Sequence, residues 1–472
     1  MNQRLATIVY VAFIAGLFYM DRDTKVRTSK ALWISVLWLM IVGSRPISTW
    51  FDMGPTISQG PVGTEGSPLD AAIFAILIVA ALVAIGMRWE KVVSFVRGNI
   101  PIVLYFIYAG LSIAWCDYPV VAAKRWVKAV ADFIMIVIVL TDPEPIIAIK
   151  RYLARVGYIL LPVSVLFIKY YPDLGRAYNP WTWEPTYCGV TTFKNELGMI
   201  CLVCALGALW LFMRALGDRK MDHRMLHMIA TGTIVCMSVW LFITADSMTS
   251  FTCFLMAGTV IVITSRKAVA SNYKIIHLLV WSFVALSLFA LFGDSGGGMV
   301  HSLGRNPTLT GRTAIWQAVL SLHTNPIIGT GFENFWLGSR MERIWDITAQ
   351  HIQEAHDGYL EVYLNLGFVG IALLASMIVS GYRNVFSVYR RNADAGRIRL
   401  ALFTAGIIYS VTEAGFRMMS PIWIGFLFAI TYVPPGFEQP KKNRSRKKLD
   451  RRVTPLSKNI KSERLIPELV EP

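Results

Sequence analysis

Charge is scarce in this sequence. Only 16% of its 472 residues are Asp, Glu, Lys or Arg, too few to coat a soluble chain of this length. Acid is the scarcer sign, with 30 Asp and Glu against 46 Lys and Arg. Cysteine is also sparse. The six present show no disulfide or metal framework; Cys201 and Cys204 form a CxxC inside an apolar run, and Cys116 and Cys188 are left as the one pair whose placement permits a bridge. The HExxH pattern of helical zinc enzymes is absent. "HIQEAH" puts His351 and His356 five apart, where two helical ligands need four. The glycines at 329 and 331 follow no strand, which argues against a dinucleotide fingerprint. No internal repeat stands out. The net charge of +16 would suit nucleic acid in a polar chain, but this one is 55% hydrophobic with a mean hydropathy of +0.50.

What the sequence has in quantity is apolar runs. Thirteen are readable: Leu5–Met20, Ala31–Val42, Ala71–Met87, Ile100–Trp115, Val120–Leu140, Tyr152–Ile168, Glu196–Met213, Leu226–Ile243, Met248–Thr264, Ile275–Phe292, Tyr359–Ser380, Leu400–Tyr409 and Pro421–Val433. They predict an all-α, polytopic membrane bundle of about twelve or thirteen spans, several shorter than the roughly 20 residues that cross a bilayer unaided. Leu5–Met20 lacks a small-x-small cleavage site before Asp21 and is expected to stay as a span. Lys and Arg crowd Asp21–Lys30, Arg88–Arg97, Arg214–Arg224, Arg266–Lys274 and Arg383–Arg399, which places these loops in the cytoplasm. Pro46–Asp70 has neither residue and is expected outside, as is the long loop 293–358. That loop is expected to hold a helix over 311–323, with Thr310 as N-cap, ended by Pro326. The membrane domain is then residues 1–433. The basic stretch 434–472, with "KKNRSRKKLDRR" inside it, reads as a disordered cytoplasmic tail that fixes the inside end, with lipid binding as the alternative.

Four charges fall where lipid should be. In "DYPVVAAKRWVKAVADFIMIVIVL", Lys124, Arg125, Lys128 and Asp132 occupy the first turns of an apolar run. At a bilayer centre they would cost about +10 to +14 kcal/mol, against about −4 to −7 kcal/mol from the run's large apolar residues. Either the helix lines a polar cavity, which makes the charges functional, or Lys128 and Asp132 pair at i,i+4 and staple helices. A second set gathers at outer loops and helix ends: Arg176, Lys194, Arg305, Arg312, His356, Glu413 and Arg417. Together they predict a cationic, outward-facing cavity with a histidine at its rim. It suits a lipid-linked anion: Arg grips two phosphate oxygens at once, and a histidine near its ordinary pKa accepts a proton from a hydroxyl. The aromatic loop Tyr170–Trp183 is read either as a sugar-stacking surface or as an interfacial anchor.

Several motifs then fall into one pattern. "GRTAIWQAVLSLHTNPIIGTGFENFW" followed by "QEAHDGYLEVYLNLGFVG" resembles the bacterial O-antigen ligase / Wzy-type polymerase superfamily, with its GR-x-x-x-W helix, P-x-x-G-x-G turn and AHN-x-Y-L-E entry into a span. "LSIAWCDYPVVAAKRWVK" and "GVTTFKNELG" resemble two further stretches of that superfamily, the latter in the form most similar to exopolysaccharide polymerases; "ADSMTS" and "VTEAGF" are weaker echoes. Asp357 stands where the pattern has Asn, and Phe193 where it has His; Asp357 is expected to raise the pKa of His356.

The resemblance implies a GT-C-like fold and a cofactor-free, metal-independent, inverting glycosyl transfer at the periplasmic face of the inner membrane. The donor would be an undecaprenyl-diphosphate-linked glycan. The acceptor would be a growing polysaccharide or, in a ligase, lipid A core; export or chain-length proteins are expected partners, and nucleic acid is not. By motif, His356 would activate the acceptor hydroxyl and Arg312 would bind the diphosphate. The residues themselves add Arg125 and Lys128 as further diphosphate contacts. Glu413, Arg417, Glu361 and Lys194 are expected to support them, Glu413 either by orienting Arg312 or the histidine or as an i,i+4 partner of Arg417. A transporter of the same lipid-linked glycan is the competing reading. It would place its polar groups near the midplane, whereas these gather toward one side.

Overall fold

A computed structural model describes residues 2–22, 26–51, 67–178, 184–292, 312–322, 324–349 and 351–434. The expected tail, His301, Arg305, Thr310, His323 and the tip of the aromatic loop lie outside the described residues. The described chain is almost wholly helical, and every one of the thirteen apolar runs forms helix. In order these are α1 (Gln3–Met20), α2 (Leu32–Val42), the short α3 (Ile47–Trp50), α4 (Pro68–Gly86), α5 (Trp89–Gly98), α6 (Ile100–Leu111), α7 (Pro119–Leu140), α8 (Pro145–Tyr170), the short α9 (Pro172–Gly175), α10 (Lys194–Gly217), α11 (Arg224–Thr244), α12 (Met248–Thr264), the short α13 (Lys267–Ala270) and α14 (Tyr273–Phe292). There follow α15 (Arg312–Ser321), α16 (Ser339–Thr348), α17 (Gly358–Arg391), α18 (Ala393–Thr412) and α19 (Pro421–Ile430). The aromatic loop holds a small antiparallel hairpin that pairs Arg176 with Tyr187.

Among the described residues, six helices are long and apolar enough to cross a membrane: α1, α4, α8, α10, α11 and α17. A seventh candidate is the pair Trp89–Gly98 and Ile100–Trp115, bent by 88°. The protein is a multi-pass membrane protein. The remaining apolar helices are short or carry charge, and their neighbours enclose them. Helix α18 is the clearest case: it is buried from Ala395 through Val411 with few interruptions. Its Arg399 is 1% exposed and donates to the carbonyls of Ala429 and Thr431.

Cross-links gather the connections into two belts. One joins Arg45 to the carbonyls of Gly189 and Thr191, Lys194 to Asp246, Arg340 to Asp117 and Arg312 to Glu413. The other joins Ser29 to Asp142, Asp21 to His227, Arg214 to Asp394 and Tyr432 to Asn99. The first belt holds the residues of interest.

Helix α17 is broken at Gly367 (φ 63°, ψ −162°). A positive φ with no Cβ penalty is what glycine supplies, and a Cβ here would run into the backbone of Ile327. The break frees backbone groups, and the Asn325–Gly331 turn takes them. Phe368 N and Val369 N donate to Pro326 O and Ile327 O at 2.8 and 3.1 Å, while Thr330 N and Gly331 N donate to Leu364 O and Asn365 O at 3.1 and 2.8 Å. Within apolar surroundings, irregular backbone survives only when satisfied in this way. The turn is thereby locked to the helix that follows His356.

Candidate active site

Three irregular segments meet beside α15: 329–336, 352–358 and 413–420. Each contains a non-glycine residue with left-handed backbone, namely Glu333 (φ 51°), His356 (φ 52°) and Met419 (φ 54°). Such strain persists only where the surroundings impose it, and it clusters at functional sites.

His356 is the centre. Its Nδ1 lies 3.0 Å from Glu354 Oε1 and 3.0 Å from Glu413 Oε2. Glu413, 9% exposed, also accepts from Arg312 Nη2 at 2.8 Å. Arg417 closes the ring, with Nε 3.4 Å from Glu333 Oε2 and Nη1 3.9 Å from Glu354 Oε2. Arg125 of α7 donates to the carbonyl of Glu333. Burial works against a charged His356, but the hydrogen bonds and charges of Glu354 and Glu413 outweigh it and push its pKa up to about 10. Burial likewise favours a neutral Glu354, yet His356, Arg417 and Arg312 hold its pKa below the usual carboxylate value. For Arg417 burial is again the opposing effect; Glu333, Glu354 and Glu361 overcome it and raise its pKa.

The scaffold behind His356 is fixed from both sides of Ala355. Glu361 accepts from Ala355 N at 2.5 Å and from Trp336 Nε1 at 2.9 Å. Trp316 Nε1 donates to Ala355 O at 2.9 Å. Ile315, Val319, Phe335, Trp336, Ile344 and Leu364 pack around this strut. Asp357 caps α17, accepting from Tyr359 N and Leu360 N at 2.8 and 2.9 Å.

The structure brings together Arg312, His356, Glu413, Arg417 and, through Glu333, Arg125. It does not bring in Lys128, whose ammonium sits 5.4 Å over the Phe74 ring, nor Lys194, which pairs with Asp246 at 3.3 Å. Arg176 is spent on the carbonyl of Ile168. Glu361 serves as the strut rather than meeting the cations directly. Neither i,i+4 alternative forms: Asp132 bonds Trp38 and Met419 instead of Lys128, and Glu413 takes Arg312 and His356 instead of Arg417. Asp357 is not what raises His356; Glu354 and Glu413 are.

The expectation of a cationic cavity needs correction. Each arginine of the ring is matched by a carboxylate, with Glu333 and Glu354 joining Glu413 in that role. Glu354 stands two residues before His356, so its proximity was the available signal. Nothing local marks Glu333 as a partner for Arg417. Glu196 accepts from Thr192 N and Phe193 N at 3.1 and 3.3 Å, closing the first turn of α10. His351 packs on Trp345 (ring centroids 4.5 Å apart) rather than beside His356. Cys116 and Cys188 are both free thiols.

Glu354, His356 and Glu413 do offer three ligand atoms within 4.8 Å of one another. The guanidinium groups of Arg312 and Arg417 already lie against Glu413 and Glu354, and the same two carboxylates hold the His356 imidazole between them protonated. A further positive charge is therefore opposed by its neighbours.

Residues 232–375, which carry Arg312, Glu333, Glu354 and His356, match the family model described as O-antigen ligase. That stretch of the chain is similar to the O-antigen ligases. The exopolysaccharide production protein ExoQ of Rhizobium meliloti (strain 1021) is 22% identical over 373 residues, covering 76% of this chain and 81% of that one. Arg125, Asp132, Glu413 and Arg417 lie outside the span of the family model, yet the fold returns them to it.

Proposed function

We propose that the protein is a membrane glycosyltransferase that polymerises undecaprenyl-diphosphate-linked oligosaccharide repeats at the periplasmic face of the bacterial inner membrane. The observation that carries this reading is the ring Arg312–Glu413–His356–Glu354–Arg417. It sets arginines, which grip phosphate oxygens, beside a proton-accepting unit.

In the transfer, an acceptor hydroxyl attacks the anomeric carbon of the donor sugar from the face opposite the diphosphate. The new glycosidic C–O bond forms as the old one breaks, and its electron pair leaves on the diphosphate. Arg312, with Arg417 and Arg125 on the neighbouring segments, stabilises that leaving charge as it develops. The hydroxyl proton passes to the His356–Glu354–Glu413 unit. With His356 raised to about 10, this unit holds one proton at rest and a second after attack; the base is the group and not a free imidazole. The inverted configuration follows from a single in-line displacement. No step needs a metal or cofactor.

The relatives support two acceptors. ExoQ is an exopolysaccharide production protein, which favours polymerisation; the family model is that of O-antigen ligase, which favours transfer to lipid A core. Surface glycans of a deletion strain separate them. Loss of long chains with single repeats surviving supports the polymerase, and polymer stranded on its lipid carrier supports the ligase. Normal glycans in the deletion strain, or wild-type product from His356→Ala, would refute the proposal.

A further inference from the structure

We infer that Asp132 is a positioning residue for this site: from inside α7 it fixes the segment that carries Glu413 and Arg417. The inference rests on the glycosyltransferase reading for its kinetic consequences, but not for its structural ones.

Asp132 is fully buried, about 20 Å along α7 from Pro119 at 1.5 Å per residue. A carboxylate at such depth is normally paired with a cation. This one has two neutral donors, one on each oxygen: Trp38 Nε1 at 2.8 Å from Oδ1 and Met419 N at 2.9 Å from Oδ2. The first bond ties α7 to the buried Trp38 of α2. What the second one does is hold a left-handed backbone residue (φ 54°) between Arg417 and the start of α19. Ser420 caps that helix by accepting from Ile422 N at 3.2 Å. The chain from Glu413 to Ser420 is thus pinned at its lower end by Asp132, and at its upper end by the bonds of Glu413 and Arg417 themselves.

The same device occurs a second time. Glu361, also buried, accepts one indole N–H from Trp336 and one backbone N–H from Ala355, the neighbour of left-handed His356. Two buried carboxylates, each joined to one tryptophan and one strained loop, hold the two halves of the His356 ring. The loop bond is the functional part of each clamp, and the indole orients the carboxylate.

Three variants in detergent-solubilised full-length protein test this. Asp132→Ala removes the acceptor of Met419 N, Asp132→Asn keeps an acceptor oxygen, and Trp38→Phe removes the indole donor while leaving the Met419 bond. Amide hydrogen exchange over 413–420 is expected to rise in Asp132→Ala, to rise little in Asp132→Asn, and to stay near wild type in Trp38→Phe. In polymer synthesis, Asp132→Ala should lower kcat about 10- to 100-fold, the scale of letting reacting groups drift by up to about an ångström. The KM for the lipid-linked donor should change far less, and Asp132→Asn should recover most of the rate. Unchanged exchange over 413–420 in Asp132→Ala overturns the inference, as do equal effects of Asp132→Ala and Trp38→Phe, which would mark a core contact only. Because exchange needs no turnover, these outcomes stand apart from failure of the glycosyltransferase reading, which would show as a wild-type protein that makes no glycan.

Discussion

Replacing Glu413 by Gln tests the central geometry most directly. The change keeps the shape and removes one charge. His356 stands at about 10 instead of 6.5, a lift on the order of 5 kcal/mol at 1.36 kcal/mol per pH unit. Burial opposes that lift, so the two carboxylates together contribute at least this much. Both lie at 3.0 Å from Nδ1, and an even division leaves each with about 1.5 to 2 pH units. Glu413→Gln should therefore lower the pKa of His356 by that amount, and Glu354→Gln by a similar one. Histidine-labelled NMR, with the His356 signal identified by its loss in His356→Ala, reads the change. Arg312 also loses its charged partner in Glu413→Gln and keeps at most a neutral acceptor oxygen, which should cost about 1 to 3 kcal/mol of stability. A His356 that titrates identically with and without Glu413 would refute the whole account of the ring.

The pH dependence follows from the same groups. Because the folded pKa of His356 is raised above 6.5 to about 10, its contribution to stability is complete below 6.5 and disappears as pH rises through 10; melting temperature against pH should show that fall on the alkaline side. Turnover should be level from about pH 6 to 9 and fall in acid as Glu354 takes up a proton; a rate that instead climbs steadily toward pH 10 would mean that a neutral imidazole is the base. Arg312→Ala should lower kcat/KM about 100-fold or more, the scale for losing one preorganised partner of developing charge, and Arg312→Lys should recover only part, for a lysine cannot grip two oxygens. Gly367→Ala forces a Cβ into the Ile327 backbone at positive φ and should destabilise by about 2 kcal/mol or more, read as lower recovery of folded protein; wild-type stability would show that the turn is not locked to α17.

The helices were legible because their signal is compositional. Each of the thirteen apolar runs is long enough to demand burial or lipid, and a helix is the form that satisfies its own backbone there. Ends were less legible: α17 continues to Arg391 and α18 starts at Ala393, where neighbours rather than lipid cover the polar residues. The cations of the site were visible as charges in the wrong place. Of their partners Glu413 was also visible and Glu354 stood two residues from the histidine, but Glu333 sits in an ordinary polar loop and acquires meaning only when 329–336 meets 413–420. Lys128 shows the converse error. Its depth suggested function, while its helical face directs it to Phe74. The break at Gly367 leaves almost no trace in the sequence, because a glycine in an apolar run usually means close packing.

The position of α18 has a consequence for biogenesis. A helix that carries Asp394, Arg397 and Arg399 and buries almost its whole surface has little reason to leave the translocon alone; it needs α17 and α19 as company, the end of the latter supplying the carbonyls that accept from Arg399. Glu413 and Arg417 lie between these last two helices. A nascent chain therefore holds every other charged member of the ring well before the ring exists, and remains inert until the final hairpin enters the bilayer.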